Sequence, residues 1–256
     1  MQSPFRRFKN GFDFIYVGIR LVGRVPGLKF WLILPFLLDA VIIGFGVSAG
    51  TEHIRAFVNK ALLFVFTKPD SMAFNFFYFP LLFLFWLVFV VLYFYMVYLL
   101  TSVMASPIFS VLAERTTRYL SQATHHPLPQ LSPIQLAVRM AWVSLLRSAI
   151  LLMVGVLLFT TSFVPGLNFI TAFLAFVLLA FDSADYAFEV HRFHLKDRFR
   201  FLKNNIFEFF GMGAVIGLTA LVPGLILLVM PFAVIGSTAV VYQIIHGHRD
   251  TLPEMR

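Results

Sequence analysis

The sequence predicts an all-α integral membrane protein with two long transmembrane helices, two helical hairpins centred on Pro-Gly pairs, and an N-terminal amphipathic helix. Three observations predict it. The chain of 256 residues is 60% hydrophobic and 12% charged, with mean hydropathy +0.87; a soluble domain carries about 25% charged residues. Uncharged runs long enough to cross the hydrocarbon core recur along it. One tetrapeptide also appears three times, as Val25-Pro26-Gly27-Leu28, Val164-Pro165-Gly166-Leu167 and Val222-Pro223-Gly224-Leu225. Proline lacks the amide proton and glycine tolerates positive φ, so each copy ends one helix and leaves open amides at the start of the next. Such amides, at the positive end of the helix dipole, attract anions. Three tight turns between apolar helices would need the same residues.

Residues 1–24 carry Arg6, Arg7 and Lys9, then Phe5, Phe8, Phe12, Ile15, Ile19 and Val22 at spacings of three and four. This pattern predicts an amphipathic helix lying in the membrane interface. It lacks the compact apolar core and small-residue cleavage site of a signal peptide. Residues 28–50 form the first long transmembrane helix, with Asp39 the only charge between Phe30 and Gly50. Residues 51–70 read as a short polar loop. Residues 71–113 hold no charge at all; as a straight helix they would reach about 64 Å, about twice the hydrocarbon thickness, so the helix must project, tilt, or bend at Pro80 or Pro107. A turn-rich piece around His125-His126 follows, and Ser132-Pro133 reads as a helix start. Residues 148–181 and 209–245 are the two hairpins, separated by a charged segment, 182–208.

With both termini, 114–147 and 182–208 on one side, all Lys and Arg except Arg55, Lys60 and Lys68 fall there. The positive-inside rule assigns that side to the cytoplasm. The formal charge of +8 is scattered around membrane segments, which argues against nucleic acid as a partner and for the lipid bilayer. The absence of cysteine excludes disulfides and thiolate metal sites. Leu28–Phe36 and Leu225–Phe232 echo one another around Leu and Pro-Phe, as the halves of an inverted repeat would.

The polar residues in apolar surroundings are the candidates for chemistry. Asp39 lies mid-span, where an acid marks either an ion or proton pathway or a structural bond between helices. Gly27, Leu28 and Lys29 join an open helix start to a cation, a fit for a divalent oxyanion; a lysine snorkelling to the headgroups is the alternative. Glu114, Arg115 and Arg118 form either an ion-pair gate or the point where the long helix leaves the lipid. His125-His126, His191-x-x-His194 and His246-x-His248 have spacings that metals use but no third ligand, so no metal site is expected. No His-Glu-x-x-His, Gly-x-Ser-x-Gly or Walker loop occurs, which leaves no basis for an enzyme or an ATP-driven pump, and no cofactor is called for.

Several segments in order carry a family resemblance: Pro26-Gly27-Leu28-Lys29-Phe30 leading to Ile33-Leu34-Pro35, Ala105-Ser106-Pro107-Ile108-Phe109, Leu112-Ala113-Glu114, Val164-Pro165-Gly166, Asp185-Tyr186-Ala187-Phe188, Val222-Pro223-Gly224 and Met230-Pro231-Phe232-Ala233-Val234. The chain resembles the CysZ family of bacterial inner-membrane sulfate permeases, within the wider etoposide-induced-protein-like membrane family. The resemblance implies multi-pass insertion in the bacterial inner membrane, hairpins that enter the bilayer only partway, homo-oligomers, and sulfate import that feeds cysteine synthesis. It implies sulfate binding at a Gly-Leu-Arg motif, matched here by Gly27, Leu28 and Lys29, where lysine keeps the charge but loses the planar fork. Glu114 matches the family's Leu-Ala-Glu position. The competing functional classes are a membrane scaffold without transport and a carrier of another small oxyanion such as sulfite, thiosulfate or molybdate.

Overall fold

The computed structural model describes residues 3–65, 72–124, 149–150, 153–222 and 224–247, and every regular element among them is a helix. In chain order these are α1 (Pro4–Phe12), α2 (Phe14–Arg24), α3 (Leu28–Val65), α4 (Met72–Met104), α5 (Ser106–Thr124), α6 (153–161), α7 (Asn168–Val190), α8 (Leu195–Asn204), α9 (Ile206–Ala220) and α10 (Leu225–Ile245). Leu28–Phe45 in α3, all of α7 and all of α10 are long and apolar enough to cross a membrane.

The Pro-Gly copies fall where the helices change. Gly27, Gly166 and Gly224 have φ of 73, 88 and 84°, and α3, α7 and α10 begin at or just after them. Pro223 itself lies outside the described residues. Several boundaries differ from the sequence expectation; α7 runs past 181 to Val190, into the expected charged segment, and three others are instructive. Residues 1–24 hold two helices that meet at Asp13; the Ser3 hydroxyl accepts from the Arg6 amide and Pro4 takes the first turn, a standard start for α1. The first long helix continues past Gly50 to Val65, through part of the expected loop 51–70. Its charged residues there are tolerated in helices and no proline intervenes. The second breaks at Ala105, because Pro107 cannot donate to the carbonyl four residues back, whereas Pro80 sits inside unbroken helix.

The chain divides into two compact units, Met1–Pro35 with Val103–Arg256, and Phe36–Ser102. In the first, α10 is the central element and packs against α2, α5, α7 and α9. Its residues from Ala233 to Gln243 are all buried, which is why its sequence is apolar on every face. The N-terminal helices lie directly on this core. Built onto Gly236, a Cβ would stand 2.0 Å from the Phe14 carbonyl oxygen, and on Gly18, 2.2 Å from that of Phe232. The same holds for Gly11 and Gly211, at 2.0 Å from the Glu208 oxygen and 2.1 Å from the Phe8 oxygen. Backbone meets backbone at both crossings, as in small-residue helix packing within membranes. Arg7 locks α1 in register: its Nε and Nη2 donate to the two Glu208 oxygens at 2.7 and 2.8 Å, and Nη2 also donates to the Asn204 carbonyl.

Further in, Arg198 donates to Asp185 at 2.6 Å and to the Phe193 carbonyl at 3.1 Å. The rings of Phe181, Phe188, Phe193, Phe199, Phe201 and Phe209 form a connected cluster of stacked, tilted and edge-on contacts. In the second unit, α3 and α4 are joined by polar bonds across apolar surface. The Tyr93 hydroxyl donates to the Ile42 carbonyl and the Thr101 hydroxyl to Asp39.

These crossings predict opposite outcomes for two glycines. Gly236→Ala should cost about 1–3 kcal/mol, through backbone separation. Gly23→Ala, with nothing within 4 Å of the new methyl, should gain about 0.5–1 kcal/mol. Thermal unfolding in detergent reads both signs.

Candidate functional site

The first Pro-Gly copy links α2 to α3. Val25 is extended, with ψ of 118°, the Leu28 amide donates to the Val25 carbonyl at 3.3 Å, and Gly27 turns the chain at φ 73°. Leu28, wholly buried, plugs the new helix into the core. The Leu28 amide is used within the turn, and no acidic residue occupies the first turn of α3.

Arg115 of α5 comes to this turn. Its Nη1 lies 2.8 Å from the position a Gly27 Cβ would take, and its Cζ stands 5.7 Å over the ring of Trp31, one turn into α3. A side chain at position 27 would therefore both strain the backbone and displace the guanidinium. A cation beside the positive end of a helix dipole is unfavourable unless an anion is shared between them. The neighbouring acid does not neutralise it: Glu114 accepts from Arg118 at 2.6 Å, a pair on the surface of α5. Among the described residues neither Arg115 nor Lys29 has an acidic partner. Lys29, the second residue of α3, is exposed. The turn thus has a planar donor fork against it and an exposed lysine two residues on, at the positive end of α3, charges suited to an oxyanion carrying more than one charge.

The structure therefore brings Gly27 and Arg115 together, and it holds Arg115 apart from Glu114 and Arg118, which pair with each other. Asp39 stands in the other unit, 4% exposed. Its Oδ1 accepts from Thr101 at 2.6 Å and its Oδ2 has no partner. Sequence reasoning missed Trp31 and Thr101. Trp31, one turn into the helix that Gly27 precedes, could have been suggested by that short spacing; nothing local relates Thr101 to Asp39, because 62 positions separate them.

The histidines regroup. His191 and His246 meet with ring centroids 6.1 Å apart, and His246 stacks on Tyr242 at 4.1 Å. Each of the two spaced motifs thus gives up one member to a new pair. Among the described residues no three His, Asp or Glu side chains gather as a metal site. His125, His126 and His248 lie outside the described residues. Burial pushes the His191 imidazole down to about 4, and the adjacent His246 adds to the shift.

A sequence profile described as "Sulfate transporter CysZ/Etoposide-induced protein 2.4" matches residues 15–231. The chain is similar to the Sulfate transporter CysZ of Vibrio cholerae serotype O1 strain M66-2, 24% identical, with 90% of this chain and 92% of the relative covered. It is similar also to that of Pseudomonas aeruginosa strain LESB58, 25% identical over 90% of this chain and 93% of the relative. A third, from Vibrio atlanticus strain LGP32, is 24% identical over 90% and 91%.

Two outcomes follow from this geometry. Gly27→Ala forces a methyl into the left-handed region and against Arg115, and should cost about 1–3 kcal/mol in thermal unfolding. His191 is neutral in the folded protein down to about pH 4 but protonates near 6.5 when unfolded. The stability its neutral ring contributes is present above pH 6.5 and is lost as pH falls towards 4. The melting temperature should drop between pH 7 and pH 5, and the drop should shrink in His191→Phe.

Proposed function

The chain belongs to the Sulfate transporter CysZ/Etoposide-induced protein 2.4 family, and from that membership we propose that it carries sulfate inward across the bacterial inner membrane for cysteine synthesis. The observation that carries this reading is the Arg115 guanidinium held against Gly27 at the start of α3, with Lys29 two residues after that glycine and no carboxylate on either cation among the described residues. Sulfate has the two charges and the tetrahedral oxygens that such a donor set takes. The family is one of transporters, not enzymes.

In this reading Gly27, Leu28 and Lys29 with Arg115 collect the anion. The Glu114–Arg118 pair in the same unit, and Asp39 in the other, are the further polar groups assigned to ion passage. The termini face the cytoplasm, and copies of the chain assemble in the lipid bilayer with the Pro165-Gly166 and Pro223-Gly224 turns entering it partway. A scaffold without transport needs no unpaired cations at a helix start, so the same observation weighs against it.

Labelled sulfate flux into proteoliposomes tests the proposal. Wild type should exceed empty vesicles. Arg115→Ala should raise the sulfate concentration for half-maximal flux about tenfold or more, the loss of one charge-assisted contact. Arg115→Lys should recover part of it and Lys29→Arg should equal or improve on wild type, because a fork binds oxyanions in two places. Flux of wild type no greater than in empty vesicles would remove the proposal; preference for molybdate or thiosulfate would reassign the substrate.

A further inference from the structure

Between α7 and α9 lies α8, whose 10 residues span about 15 Å, half the thickness of the hydrocarbon core. At about 100° per residue its side chains divide into two faces. Arg198 is buried, and Phe201 and Leu202 are half-buried. The opposite arc is exposed and ordered. Leu195 and Phe199, 54% and 51% exposed, form one edge, and Lys203, Lys196 and Arg200 follow within about 140° of it. Asp197, the acid of α8, lies beyond Arg200 on the far flank. A helix bathed in water on that arc would leave two large apolar groups in solvent beside three cations. An arc that passes from apolar to basic is the pattern of a helix lying in a membrane surface.

Direct contacts set the level of this face. The Phe199 ring stacks on that of Phe181 in α7, with centroids 5.6 Å apart and planes 13° from parallel. Phe181 ends the uncharged run of α7, and Asp182 follows it. Phe199 therefore stands where a helix long enough to cross the membrane passes from apolar to polar. On the inner face, Arg198 donates to Asp185, one turn past Phe181, so α8 is pinned along α7 while its other cations stay exposed. The last residue of α8 meets the N-terminal amphipathic helix: Arg7 Nη2 donates to the Asn204 carbonyl at 2.8 Å.

We propose that the outer face of α8 is a docking surface for anionic phospholipids, with Leu195 and Phe199 in the upper acyl region and Lys196, Arg200 and Lys203 on the phosphates. Long basic side chains lay their stems along apolar surface and carry the charge to the headgroups. Each cation close to an anionic membrane surface strengthens binding about fivefold. A free phosphate would meet the cations but not the apolar edge, so a lipid is the occupant that uses the whole face. The inference needs membrane insertion alone and does not depend on the sulfate reading.

Thermal unfolding of the purified chain in detergent micelles, titrated with phosphatidylglycerol, tests it. The melting temperature should rise saturably, and neither phosphatidylcholine nor glycerol phosphate at equal concentration should reproduce the rise. Lys196→Gln, Arg200→Gln and Lys203→Gln should each raise the half-maximal phosphatidylglycerol concentration about fivefold. Leu195→Gln, which removes no charge, should raise it as well. Lys60→Gln, which removes an exposed charge from α3, should leave it unchanged. All these substitutions replace exposed side chains, and any one of the four in α8 serves if another does not fold. An equal rise with phosphatidylcholine or glycerol phosphate, or a response that the α8 variants leave intact, would overturn the docking surface. The readout contains no sulfate, so either result leaves the transport reading to its own test.

Discussion

The contact on which the rest depends is the meeting of two backbones at Gly18 and Gly236. It lets α2 lie directly against the central α10, with carbonyls where side chains would normally hold helices apart. Interaxial distances of 8–10 Å are usual for packed helices, and an added Cβ at either glycine would fall inside another residue's oxygen. The Gly11–Gly211 crossing and the Arg7–Glu208 fork repeat the arrangement one element earlier. Because α2 is fixed on α10, and α5 is packed on the same helix, the turn after α2 arrives beside Arg115. The approach of Arg115 to the Gly27 turn is a consequence of helix packing about one central element.

Its electrostatics follow from how the charges are distributed. Three acids in this unit are spent on internal pairs: Glu208 on Arg7, Asp185 on Arg198, Glu114 on Arg118. The cations at the turn are left without them. Trp31 holds the guanidinium by its ring face, which orients the fork without neutralising it. A site assembled this way is pre-organised for a ligand that brings its own negative charge, and it is exposed enough for that ligand to reach.

How much of this was legible in the sequence depends on the range of the physics involved. The all-helical membrane class and the three Pro-Gly boundaries were legible, because hydropathy and the backbone limits of proline and glycine act within a few residues. That a helix starts just after Gly27 was legible for the same reason. The end of α3 was not: residues 51–65 carry Glu52, His53, Arg55 and Lys60, and charge marks the loss of lipid, not the end of a helix. Nor was the division of Glu114, Arg115 and Arg118, three adjacent charges that the fold sends to different partners. The pairing of Arg115 with Gly27 spans 88 positions and leaves no local trace, and the same is true of Asp39 with Thr101 and of His191 with His246.

The most direct measurement is equilibrium binding of labelled sulfate to purified, folded protein, comparing wild type with Arg115→Ala and Arg118→Ala. The two arginines lie three residues apart on one helix and carry equal charge, so general electrostatics affects both alike. Saturable binding that is lost in Arg115→Ala and kept in Arg118→Ala is the predicted result. Binding that survives Arg115→Ala, or falls equally in both variants, would contradict the site at Gly27.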